Sequence, residues 1–295
     1  MEIRPRRSVL YMPGASERAL DKAKTLPADA LILDLEDSVV PDAKPEARTR
    51  VCDAASSRAY GRREVVVRVN AIDTPWGLAD LAATATAAPD AALIPKVSRP
   101  GDIVSGARIL KAQGAPEETR VWAMIETPAA ILNIRDIAGA AADPESRLAC
   151  LVLGTNDLLK ETRALATADR FAAIPWLAMT VVAARAYGLD VLDGVYNDFK
   201  DESGFRAECQ QGRKLGMDGK TLIHPSQIAP CNEEFSPTGE EIDWSRRVIA
   251  AFEESQNADK GVITVDGRMA ERLHLAIARR TVAIAEAIHK QAEAA

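Results

Sequence analysis

The sequence predicts an α/β protein: a (β/α)8 TIM barrel followed by a C-terminal helical lid or arm. Three observations predict it. Short β-type runs alternate with longer helical stretches, eight times between residues 1 and 235. Most of those runs are continuously apolar, as parallel strands buried on both faces must be. The residues closing the runs are polar or ionisable, at the rim where a barrel of this kind keeps its active site.

Strands are expected at residues 8–12, 30–35, 65–70, 91–95, 120–126, 148–154, 190–193 and 220–224. Helical stretches lie between them, among them 17–25, 44–57, 76–87, 99–113, 131–140 and 171–187. Strand one ends in Tyr11-Met12-Pro13-Gly14, strand two in Asp34-Leu35-Glu36-Asp37 and strand three in Arg68-Val69-Asn70. Strand four ends in Pro95-Lys96, strand five in Glu126 and strand six in the turn that carries Asp157. Strand seven ends in Asp193, with Tyr196 and Asn197 beyond it, and strand eight in His224-Pro225-Ser226. From Ser236 the alternation stops. Thr238 and Glu241 are spaced as a capping box for a helix to about residue 255. A polar loop (256–261) and a short run (262–265) follow, and Asp266-Gly267 turns the chain into a final helix over 268–292. The expected division is a barrel domain over 1–235 and a lid segment over 236–295.

Composition narrows the function. The chain has 295 residues, 47% hydrophobic and 27% charged, which is ordinary for a globular enzyme with one sizeable core. With 43 acidic against 37 basic residues the net charge is −6, so no basic footprint for nucleic acid is present. The four cysteines, Cys52, Cys150, Cys209 and Cys231, form no CxxC pair and read as reduced thiols of a cytoplasmic protein. No apolar run is long enough for a signal peptide or a membrane span. Several motifs fail on inspection. No GxGxxG follows strand one, and Gly219-Lys220-Thr221 has Lys214 where a phosphate loop needs glycine. The acidic stretch 193–201 lacks the glycine and terminal glutamate of an EF-hand loop, there is no G-x-S-x-G elbow, and three histidines make no zinc set.

Glu126 and Asp157 hold matching positions, each after an apolar run and just ahead of a helical stretch. Two acidic oxygen ligands, with room for substrate oxygens, suit magnesium. The alternative is that they cap the helices that follow. Asp34, Glu36 and Asp37 form an ion-pair network with Arg68 or Lys96, and one of them, assigned to Asp37, also supports the water shell of the metal. Arg68 either belongs to that network or offers a planar fork to a carboxylate or thioester oxygen. Lys96 and Asn70 are taken as substrate contacts. Arg18, Lys22 and Lys24 either meet the phosphates of a phosphorylated ligand or form a solvated helix face.

The motifs Leu10-Tyr11-Met12-Pro13-Gly14, Leu33-Asp34-Leu35-Glu36-Asp37-Ser38-Val39, Lys44-Pro45 with Ala47-Arg48, Val67-Arg68-Val69-Asn70, Pro95-Lys96, Ile125-Glu126-Thr127, Gly154 with Asp157-Leu158, and Ile223-His224-Pro225-Ser226-Gln227 are each weak alone. In this order the chain resembles the HpcH/HpaI aldolase/citrate lyase β-subunit superfamily, and within it the lyases of malyl-CoA and citramalyl-CoA type. The resemblance runs from Arg6 to the final helix. It implies magnesium, with manganese as a substitute, on Glu126 and Asp157, and Arg68 on the keto-acid portion or the thioester oxygen. It implies a homotrimer or homohexamer in which the C-terminal segment covers a neighbour's active site. In the lyases a Gly-Lys/Arg-Met-Ile-Asp motif there delivers an acid/base carboxylate. Here Gly267-Arg268-Met269-Ala270-Glu271 stands in its place, so Glu271 is either that acid/base or a solvated helix residue. Asn156 replaces a glutamate found in many members. The implied reaction is reversible cleavage of a 3-hydroxyacyl-CoA to acetyl-CoA and a 2-keto acid. Malyl-CoA thioester hydrolysis, a carrier-dependent citrate lyase subunit and a non-catalytic CoA-ester binder are the alternatives.

Overall fold

A computed structural model describes residues 3–257 and 259–293. The chain divides into two compact units, Arg6–Phe235 and the described residues on either side of it. The first unit is a closed barrel of eight parallel strands in chain order. They are β1 (Ser8–Pro13), β2 (Ala30–Asp34), β3 (Glu64–Arg68), β4 (Ala91–Ile94), β5 (Arg120–Ile125), β6 (Leu148–Leu153), β7 (Asp190–Asp193) and β8 (Gly219–Leu222). The barrel closes where Ser8, Val9 and Leu10 pair with Lys220, Thr221 and Leu222.

The period of two along each strand decides what each side chain does. Val9, Ile32, Val66, Leu93, Trp122, Val152 and Leu192 point into the barrel and fill it. Their neighbours Leu10, Leu31, Leu33, Val67, Ile125 and Leu151 point outward into the layer packed against the helices. Each such fully buried aliphatic contributes roughly 1.5–3 kcal/mol. Continuing the inward set towards the carboxyl ends reaches Tyr11, Asp34, Arg68, Met124, Glu126 and Gly154, so strand parity alone delivers these groups to one mouth. The opposite end is closed by Arg6, which holds Glu64 at 2.7 Å and Asp190 at 2.5 Å and lies 5.0 Å from the Trp122 ring centre. Among the described residues no helix is long and apolar enough to cross a membrane.

The second unit corrects one expectation. Residues 268–271 do not begin the final helix. They form a strand, β10 (Arg268–Glu271), antiparallel to β9 (Val262–Val265), and the helix is Arg272–Glu293. Asp266 and Gly267 both have positive φ (49° and 75°), the geometry of a two-residue hairpin loop whose twist matches its strands. The small core here joins Ile263, Val265 and Ala270 to Val248, Phe252, Leu275 and Ala278.

Candidate active site

At the mouth of the barrel Arg68 is clamped flat. Its Nε and Nη2 donate to Asp34 Oδ1 and Oδ2 at 2.6 and 2.8 Å, and its guanidinium carbon lies 4.9 Å from the Tyr11 ring centre. Nη1 donates to Asp37 at 3.2 Å and forms an ion pair at 2.9 Å with Glu36 Oε2. That Glu36 oxygen is buried and, although close, is not aligned as a hydrogen-bond acceptor. Burial pushes the Glu36 carboxyl up to about 8, even against the pull of Arg68. Burial opposes ionisation of Asp34 as well, but the bidentate Arg68 outweighs it and holds Asp34 below the ordinary carboxylate range. The expected network of the β2 acids therefore forms on Arg68, and Lys96 lies elsewhere.

Lys96 bridges the other two acids. Its Nζ is 2.7 Å from Asp157 Oδ2 and 3.4 Å from Glu126 Oε1, and its backbone N–H donates to Glu126 Oε1 at 2.7 Å. Glu126 is fully buried and its Oε2 has no hydrogen-bond partner. Burial pushes its carboxyl up to about 7. Burial also acts upward on Asp157, but the Lys96 ammonium holds that carboxyl below its ordinary value. Two neighbouring carboxyls are thus driven apart, a pattern that marks functional sites. Neither caps its helix. Thr127 caps the helix Pro128–Leu132 by accepting from Ala130 N–H, and Asp157 lies within the first turn of Thr155–Thr162 with its side chain on Lys96.

A cavity of about 360 Å3 opens between the two clusters. Tyr11, Asp34, Asp37, Arg68, Glu126, Asn156, Asp157 and Thr221 are among its walls. Asn70, expected as a substrate contact, does not line it. Its side chain receives Lys44 Nζ at 2.6 Å and donates to Leu35 O and Asp80 Oδ2 at 2.9 and 2.6 Å, so its polar atoms are spent on holding the end of β3. Arg18, Lys22 and Lys24 are exposed on the helix Glu17–Ala23 and at its C-cap, with Lys24 paired to Asp21 at 2.7 Å. Glu271 belongs to β10 in the second unit, where its backbone N–H donates to His274 Nδ1 at 2.9 Å. Asp193 does not reach the cavity. Leu192 points inward, so Asp193 points out to the helices, where it meets Arg170 and Lys220.

The profile of the HpcH/HpaI aldolase/citrate lyase family matches residues 7–225, almost the whole barrel. The chain belongs to this family. It is 50% identical over 284 residues to the (3S)-malyl-CoA thioesterase of Cereibacter sphaeroides, covering 96% of each chain. It is 32% identical over 297 residues to the mitochondrial citramalyl-CoA lyase of Rattus norvegicus, covering 97% of this chain and 88% of that one. Among solved structures, the CitE protein of Mycobacterium tuberculosis in complex with magnesium, acetoacetate and coenzyme A is 29% identical, with a TM-score of 0.74, covering 97% of this chain and 98% of that one.

The residues present in this family member fit a small hard dication. The donors are oxygens only, one of them, Glu126 Oε2, is buried without a partner, and a positive charge already sits at the pair in the form of the Lys96 ammonium. Among the described residues no group of three or more His, Cys, Asp or Glu is placed to hold a metal. The pair would therefore supply two ligands, and substrate oxygens and water would complete the set. Gly154 makes the room: a Cβ there would come within 2.5 Å of Glu126 Cβ and 2.8 Å of its Oε2. Gly154→Ala should displace Glu126 and lower turnover about 100-fold, the usual cost of misplacing a reacting group by an ångström. Steady-state kinetics with a magnesium titration checks this, and near-native turnover would mean that Glu126 can move freely.

Proposed function

We propose that the protein is a magnesium-dependent hydrolase of a 3-hydroxyacyl-CoA thioester of the malyl-CoA type. The observation that carries the reading is 50% identity to a (3S)-malyl-CoA thioesterase over nearly the full length of both chains, joined to the carboxylate pair at the barrel mouth. Glu126 and Asp157 would hold the metal, which supplies Lewis-acid charge stabilisation and orientation of the acid portion. Arg68 faces the cavity in one fixed orientation, which supports a role for its charge at the oxyanion that would develop on the thioester oxygen. Hydrolysis adds the water oxygen to the acyl carbon, breaks the carbon–sulfur bond and returns a proton to the CoA sulfur. Arg18, Lys22 and Lys24 are the cations proposed for the CoA phosphates.

A second reading has its own support in the citramalyl-CoA lyase relative. In it the same site breaks a carbon–carbon bond: the substrate hydroxyl gives up its proton, and the thioester enolate left behind takes one up. Glu271 is the candidate for that proton transfer, acting within a homotrimer or homohexamer.

Products separate the two readings. With malyl-CoA and magnesium, the hydrolase should release malate and free CoA thiol in equal amounts. Acetyl-CoA and glyoxylate instead would establish the lyase. An unchanged substrate would sink both readings for this acyl group. Mass spectrometry of the quenched reaction identifies all four species.

A further inference from the structure

We propose that Lys96 is the resident counter-cation of the Glu126–Asp157 pair, and that a divalent cation enters this site by displacing its ammonium. The inference rests on reading that pair as the metal site. Three observations carry it. The ammonium lies between the two carboxylates, 2.7 Å from one and 3.4 Å from the other, where a shared cation has to sit. The backbone of the same residue is spent on the site too, its N–H donating to Glu126 Oε1 at 2.7 Å, so Lys96 is fixed at both ends. And Lys96 has φ of 54°, the left-handed region that a residue with a Cβ enters at a cost. Just past the end of β4 this left-handed backbone accompanies a side chain whose ion-pair partners are the two acids.

The physical need is plain. A buried carboxylate without a counter-charge is among the most costly arrangements in a protein. Glu126 is fully buried and Asp157 partly so, and no other Lys or Arg is ion-paired to either among the described residues. Lys96 supplies the positive charge that faces both carboxyls in the metal-free protein. Its side chain is about a third exposed, so the ammonium has solvent to move into when a dication takes its place. Metal binding is then an exchange of cations, and the apparent affinity is lower than that of the bare pair.

The direction of the test is unusual, since deleting a residue of the site should improve binding. Lys96→Met should tighten magnesium binding at least tenfold over the native protein, measured by calorimetry on metal-free protein without substrate. Lys160→Met is the control, because Lys160 also lowers the Asp157 carboxyl through its charge but does not bridge the pair. It should tighten binding several-fold less than Lys96→Met. Equal tightening in the two variants would reduce the effect to general electrostatics and overturn the exchange. Unchanged or weaker binding by Lys96→Met would overturn it as well. Should Lys96→Met not fold, the native protein answers by amine labelling: reductive methylation of Lys96, followed by mass spectrometry, should speed up on adding magnesium, and slowing or no change would overturn the proposal. Failure of the native protein to take up magnesium would remove the metal reading itself, and this proposal with it.

Discussion

Glu126→Gln and Asp157→Asn should each reduce magnesium-dependent turnover by at least about 1000-fold while leaving the barrel folded. Both substitutions keep the shape of the side chain and remove one negative charge. A metal that supplies about 4 kcal/mol of charge stabilisation in the transition state accounts for that factor. Folding should tolerate both changes for reasons that differ. Asp157 is partly exposed, and its partner Lys96 can turn to solvent. Glu126 is buried, and burial pushes its carboxyl up to about 7 from an ordinary 4.5. A raised carboxyl favours the protonated form in the folded state, so stability is lost as the pH rises between those two values. Glutamine carries no such cost. Above pH 7 the melting temperature of Glu126→Gln should therefore equal or exceed that of the native protein. Calorimetric titration with magnesium should show weakened binding in both variants. Turnover retained in both would refute the pair as the metal site, and a lower melting temperature for Glu126→Gln would refute the sign of the burial effect.

Much of this arrangement is legible in the sequence because a parallel barrel writes itself as apolar runs with polar ends. All eight strands fall where those runs lie, since both faces of every strand are covered and, apart from Lys220 and Thr221 in β8, polar residues stand only at the strand ends. Strand parity, counted outward from the barrel interior, also separates Arg68 and Glu126, which enter the cavity, from Asp193, which does not. That count needs only the neighbouring apolar residue, Val66, Trp122 or Leu192, and could have been made on the sequence. What the runs do not encode is the partner brought in from the next element. Asn70 reads as a free amide at a strand end until Asp80, from the helix Gly77–Ala87, and Lys44 close on it. Lys96 reads as one more cation near the β2 acids, but its left-handed backbone accompanies a side chain directed at Glu126 and Asp157. The β9–β10 hairpin carried a readable signal, Asp-Gly between two short runs. It was hidden because residues 268–271 continue smoothly into a helical pattern.

The largest effect on stability is expected away from the cavity, at Asp193. Its carboxylate accepts from Arg170 Nη1 on both oxygens, at 2.8 and 2.7 Å, and from Lys220 Nζ at 3.1 Å. Glu208 completes the set, 2.5 Å from Lys220 Nζ and 3.4 Å from Arg170 Nη1. Two cations and two carboxylates therefore balance beneath the β7–β8 helix layer, with Asp193 and Lys220 wholly buried. Asp193→Ala leaves both cations on Glu208 alone. Breaking a buried set in this way costs about 3–5 kcal/mol, which for a chain of this size lowers the melting temperature by roughly 10 °C. If the cost is the uncompensated charge rather than the lost volume, Asp193→Ala combined with Lys220→Met should recover much of it, since the remaining Arg170 and Glu208 balance again. The pH dependence gives an independent check. Burial pushes the Asp193 carboxyl up, but Lys220 and Arg170 outweigh burial and hold it below its ordinary 3.8. The stability it contributes is complete above that value and is lost as the pH falls through the lower folded value. The gap in melting temperature between the native protein and Asp193→Ala should accordingly be constant near neutrality and narrow below pH 3.8. A gap that stays constant down to acid unfolding, or a double variant no more stable than Asp193→Ala, would assign the effect to packing instead.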